Sequence, residues 1–152
     1  MAGPIPPTAY GMWRPTDGTL QTVVAGTVAA TVDTSGNQDF PGDVKLSDGG
    51  TITQASSKST GVTLNTHTGQ ITMNGAALAA GVEVTFTVTN STVGAADVVV
   101  LNHGSAGTAG SYLVGVSAVA SGSFKATVSN ASGGALSEAI VLHFAVIGGS
   151  AT

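Results

Sequence analysis

At 152 residues with 8% charged side chains, the chain has room for one domain, or one domain with an arm. Four Lys/Arg against eight Asp/Glu leave a formal charge of −4, which argues against nucleic acid or anionic lipid as the main partner. No cysteine is present, so neither a disulfide framework nor a thiolate metal site is available.

A Gly/Ser/Thr-rich chain suggests disorder, but disorder goes with low hydrophobicity and high net charge. Here mean hydropathy is +0.35, and the apolar residues recur regularly. No stretch approaches the roughly 18–20 apolar residues of a spanning helix, so no membrane is expected as a partner. The opening Met1–Pro7 has neither the charged nor the apolar region of a signal peptide, and export by the ordinary route is not expected.

Residues 1–47 differ in texture from the rest and are expected to form an N-terminal arm. Pro4, Pro6 and Pro7 impose an extended, helix-forbidding start. Tyr10, Met12, Trp13 and Arg14 follow, with Phe40 farther on. An arm cannot bury such side chains by itself, and they favour contact with another protein surface; folding back as a lid is the alternative. Residues 21–32 read as a strand interrupted by Gly26, either pairing with a neighbour or forming half of a hairpin. Asp33–Asn37 and Phe40–Asp43 are turn clusters.

From residue 48 onward the rhythm becomes regular. Val82, Val84, Phe86 and Val88 alternate with Glu83, Thr85, Thr87 and Thr89, the period of a strand with one face in a core. Short strands are expected around 51–54, 62–65 and 70–73. Residues 97–102 are apolar on both faces, which implies a strand covered on two sides and places Val98 and Val100 in the core. Residues 104–110 read as a mobile loop. Alternation returns over 112–119 and 124–128, and 139–147 is the longest apolar strand, broken only by His143. Phe124, Leu142, Phe144 and Val146 complete the expected core. About eight strands with turns at this spacing predict an all-β domain over 48–152. The expected architecture is an antiparallel two-sheet β-sandwich, with jelly-roll connectivity as one variant and a small barrel as the alternative.

The residues offer little to catalysis. His67, His103 and His143 form no metal-ligand spacing, and Asp33, Asp39, Asp43 and Asp48 are too loosely spaced for a calcium loop. Residues 104–110 lack the Gly-Lys-Ser/Thr ending of a phosphate loop, and no nucleophile elbow occurs. Asn90-Ser91-Thr92 and Asn130-Ala131-Ser132 match the glycosylation sequon but read as turns. No catalytic residue, metal or cofactor is assigned. A surface of Thr, Ser, Ala and Gly lacks charge repulsion and suits packing against identical neighbours.

The runs Ser59–Asn65, Gly69–Met73, Phe86–Ser91, Asp97–Asn102, Gly122–Asn130 and Leu136–Ile147 carry a resemblance. Over residues 51–147 the chain resembles small β-rich structural proteins of tailed bacteriophages and prophages. The resemblance implies a non-enzymatic virion component of the capsid decoration (cement) type. It would be made in the host cytoplasm and would sit on the capsid surface. Its implied partners are the major capsid protein and itself, with a homotrimer favoured. Under that reading Pro4, Pro6, Pro7, Tyr10, Met12, Trp13, Arg14 and Phe40 would touch capsid or neighbouring subunits. A head-fibre or tail-fibre module binding host glycan through loops 103–111 and 130–138 is the alternative.

Overall fold

The structure is a computed structural model that describes residues 11–13, 18–46 and 48–150, and of Trp13 only the backbone. The chain divides into two compact units, residues 1–45 and 46–152. Among the described residues every regular element is a strand.

The first unit is an antiparallel sheet in simple sequential order. Its strands are β1 (Gly11–Trp13), β2 (Leu20–Val24), β3 (Thr27–Val32) and β4 (Gln38–Asp39). The segment expected as one strand over 21–32 is therefore a hairpin. Ala25 and Gly26 sit at its tip with φ of 49° and 78°. Two consecutive positive φ values give the turn whose twist matches that of paired strands. Glycine adopts this conformation freely, whereas alanine is strained in it. The Asp33 carboxylate closes the next turn, accepting from the Ser35 and Asn37 amides at 2.8 Å and from Asn37 Nδ2 at 2.8 Å. Over its described residues the expected extended arm is thus a small sheet, because Gly26 and Asp33–Asn37 reverse the chain. Pro4, Pro6, Pro7, Tyr10 and Arg14 lie outside the described residues.

The second unit holds two four-stranded sheets. One runs β10 (Tyr112–Ala120), β11 (Ser123–Asn130), β8 (Glu83–Thr89), β6 (Val62–Thr63). The other runs β5 (Gly49–Thr53), β7 (Thr68–Thr72), β12 (Val141–Ile147), β9 (Val98–Ser105). Most pairings are antiparallel, but β5 lies parallel to β7 and β6 parallel to β8, so each sheet is mixed. Among the described residues of this unit, only β10 and β11 are neighbours both in the chain and in a sheet.

The inner faces of these two sheets close on one core. Phe86, Val88, Phe124, Ala126 and Val128 come from the first sheet, and Ile71, Leu101, Leu142, Phe144 and Val146 from the second. Phe124 and Phe144 meet across the gap with ring centroids 5.3 Å apart, a tilted pair favoured by the ring quadrupoles. Gly69 faces Phe144 across β7 and β12, and a Cβ there would lie 2.5 Å from the ring. The core side chains expected at Phe86, Val88, Phe124, Leu142, Phe144 and Val146 are buried, and Val84 is half-buried against them.

Three expected core residues are exposed instead. Val82 is 44% exposed because it belongs to the turn after Gly81, where its amide bonds to Ala79, and the strand begins one residue later. Val98 and Val100 are 57% and 41% exposed. β9 is an edge strand with only one covered face, and Val99 and Leu101 occupy that face. Continuous apolarity there does not mark burial on both sides.

Candidate interaction surfaces

Buried polar groups in the second unit are spent on holding loops together. Gln54, 2% exposed, donates from Nε2 to the carbonyls of Lys58 at 3.0 Å and Thr60 at 2.8 Å, and its Oε1 accepts from the Asn74 amide at 3.0 Å. Lys58, also buried, donates to the carbonyls of Asn74 at 2.7 Å and Glu138 at 2.5 Å. Burial pushes its ammonium below the usual lysine range, and the Glu138 charge opposes that shift. The loop between β5 and β6, the segment after β7 and the segment before β12 are thereby tied to one point. This is scaffolding, since both of the lysine's bonds go to backbone.

The Glu138 carboxylate in turn fixes the loop between β9 and β10. Oε2 accepts from the Thr108 amide at 3.0 Å and the Tyr112 hydroxyl at 2.9 Å, and Oε1 accepts from Thr108 Oγ1 at 2.8 Å. These bonds, first those from Thr108, hold the carboxyl below its ordinary range. Burial, then the adjoining carboxylate, pushes the Tyr112 phenol up to about 12. Ala106 at φ 62° and Gly107 at 78° turn the loop, and a Cβ on Gly107 would meet Ile140. The segment expected to be a loop over 104–110 is thus tied at Ala106 and Thr108, and its first two residues belong to β9.

Both sequon asparagines are fully buried locks. Asn90 Oδ1 accepts from the amide and the hydroxyl of Thr92, while Nδ2 donates to the Thr66 carbonyl at 2.8 Å. Asn130 repeats this with Ser132, and its Nδ2 reaches Leu78 and Gly134. The Asn-x-Ser/Thr spacing is what this turn requires, because residue i+2 offers both an amide and a hydroxyl to one oxygen.

Among the described residues no group of three His, Asp or Glu side chains could hold a metal. His67 pairs with Asp48 at 2.7 Å, His103 bonds the Ala106 carbonyl and packs edge-on to Tyr112, and His143 lies exposed on the outer face of β12. These are three separate places. His143 does border a shallow groove of about 440 Å³ with Thr51, Thr68 and Gln70 over Gly49 and Gly69, and its lining holds no Asp, Glu, Lys or Arg.

Surfaces, rather than a cleft, are the distinctive features. On the first sheet the outer face is hydroxyl-rich, with Thr85 and Thr127 bonded at 2.8 Å and Thr127 donating to Ser117 at 2.9 Å. On the second, Val98, Val100 and Ile147 stand outward together, since β12 pairs Ile147 with Val98 and Ala145 with Val100. In the first unit Val23 is the one fully buried apolar side chain among the described residues. Met12 at 72%, Val24, Phe40 at 46% and Val44 are exposed. Of the expected arm contacts, Met12 and Phe40 are thus open to solvent, and the β1 backbone at Trp13 pairs with Gln21. Sequence reading missed Gln54, Lys58 and the β9 edge. A lone glutamine or lysine between turns gives no local signal of burial. No protein-family model, curated protein or solved structure matches this chain.

Proposed function

We propose that this protein is a non-enzymatic structural component of a tailed-phage virion, of the capsid decoration type, that binds the outer shell and stabilises it. The observation that supports the reading is the apolar exposure of the first unit. A four-stranded sheet that buries one apolar side chain among its described residues, and leaves Met12, Val24, Phe40 and Val44 in water, gains most by lying against other protein. The second unit supplies a rigid, weakly charged body whose polar groups are consumed by its own turns. One of its outer faces carries short hydroxyl side chains that lose little entropy on contact, and the other exposes Val98, Val100 and Ile147.

The action would be mechanical. A protein that binds only the expanded shell stabilises that state by mass action, about 2.7 kcal/mol per site at a hundredfold excess over Kd. Particles with and without the chain are compared for thermal DNA release. Release at lower temperature without it, together with density for the chain on the shell, supports the proposal. Unchanged release, or density confined to a fibre, overturns it; binding to host glycan would then favour the adhesin alternative.

A further inference from the structure

We propose that the free edge of β9 is a self-association site. Two copies join by antiparallel pairing of Val98–Asn102 about a two-fold axis at Val100, fusing their four-stranded sheets into one of eight. β9 pairs with β12 on one side only, and its backbone groups on the other side have no partner among the described residues. Such a row is a template for another strand unless it is guarded by charge, proline, a bulge or brevity.

Two of the other three edges of this unit carry such a guard, and β5 offers a partner strand little side chain to pack on at its start. β6 has two residues, β5 begins with two glycines, and β10 is broken by a bulge between Val116 and Ala118. β9 has its own bulge at Gly104, but the stretch before it, Val98–Asn102, is regular in register with β12 and carries no charge and no proline. The nearest candidate guard, Asp97, is diverted. Its two carboxylate oxygens accept from the Gly94 amide at 2.7 Å and the Gly149 amide at 3.0 Å.

A second copy suits this edge better than a foreign strand. Antiparallel partners place directly opposed side chains on the same face. Centring on Val100 sets Val100 against its own copy and Val98 against Asn102, so all the exposed side chains share the outer face and no like charges meet. Val98 and Val100, 57% and 41% exposed, then each gain a cross-strand neighbour from the second copy.

The inference goes beyond the proposed function and is tested on the purified full chain without any capsid. Sedimentation should show a concentration-dependent dimer, and Val100→Lys should weaken it by about tenfold or more, because two lysines would face each other at the axis. Val98→Lys is the second variant, and far-UV circular dichroism checks that both fold. Since the chain has no cysteine, Val100→Cys should give a disulfide-linked dimer on mild oxidation, whereas Thr87→Cys on the other sheet's outer face should not. A monomer up to about 100 μM, an assembly unmoved by both lysine variants, or equal crosslinking at positions 87 and 100 would overturn the proposal.

Discussion

Replacing Gln54 by Leu tests whether the second unit depends on its buried polar tie. The change removes three hydrogen bonds from a side chain that is 2% exposed. The Lys58 carbonyl, the Thr60 carbonyl and the Asn74 amide then lose the partners shown for them, and each orphaned group costs about 1–3 kcal/mol. Burying leucine returns about 1.5–3 kcal/mol against about 3–9 for the three groups, so the net loss should be about 1.5–6 kcal/mol, a large share of the roughly 5–15 kcal/mol of a typical domain. Asn130→Ala is the informative comparison. It removes more bonds, yet the Leu78 carbonyl keeps the Leu136 amide at 3.0 Å and the Gly134 carbonyl keeps Ser132 Oγ at 2.9 Å. Only the Ser132 amide is orphaned, and the loss should be about 1–2 kcal/mol. Urea unfolding followed by circular dichroism measures both. If Gln54→Leu falls within about 0.5 kcal/mol of the parent, or if Asn130→Ala is the more damaging, counting orphaned groups is the wrong account.

Other substitutions probe packing, turn strain and charge. Gly69→Ala drives a Cβ into Phe144 and Leu64 and should destabilise by about 1–3 kcal/mol. Gly115→Ala, with nothing within 4 Å, should stay near neutral, and thermal melts compare the two. Ala25→Gly relieves a φ of 49° in the first unit's hairpin and should stabilise that unit by about 0.5–1 kcal/mol; amide exchange of β2 and β3 reads this out. Because the folded Tyr112 pKa is raised from 10.0 to about 12, its contribution is complete below pH 10 and is lost as pH rises toward 12. Spectrophotometric titration should therefore find one late tyrosine, and Glu138→Gln should bring it earlier. A Tyr112 that titrates at its ordinary value in the folded protein would refute the Tyr112–Glu138 bond.

What the sequence made legible follows from which forces act locally. The alternation through Glu83–Thr89 is a direct record of one buried face, and Phe86 and Val88 lie where that record places them. Gly26 interrupts residues 21–32 visibly, but a break does not say whether the chain passes through it or reverses at it. The positive φ at the preceding Ala25 is what makes it a hairpin. The two Asn-x-Ser/Thr turns were readable for the same local reason, since one side chain satisfies amides two residues away. Gln54 and Lys58 were not, because their partners at Asn74 and Glu138 are distant in the chain.

β9 shows where local pattern and tertiary place diverge. Four consecutive apolar residues, Val98–Leu101, satisfy any strand that has at least one buried face, so composition alone cannot distinguish the centre of a sheet from its edge. An edge is defined by which strand is absent beside it, and that depends on the connectivity of the whole unit. Here β12, arriving last in the chain, takes the place between β7 and β9, and β9 is left outermost. The apolar face that then remains uncovered cannot be required by the fold of a single copy, because Val99 and Leu101 already supply its inward contacts. Val98 and Val100 would be the first positions at which a monomer could accept polar side chains. A substitution series from Val to Thr, then Lys, at those positions separates the two requirements: folding should tolerate it, and pairing between copies should not.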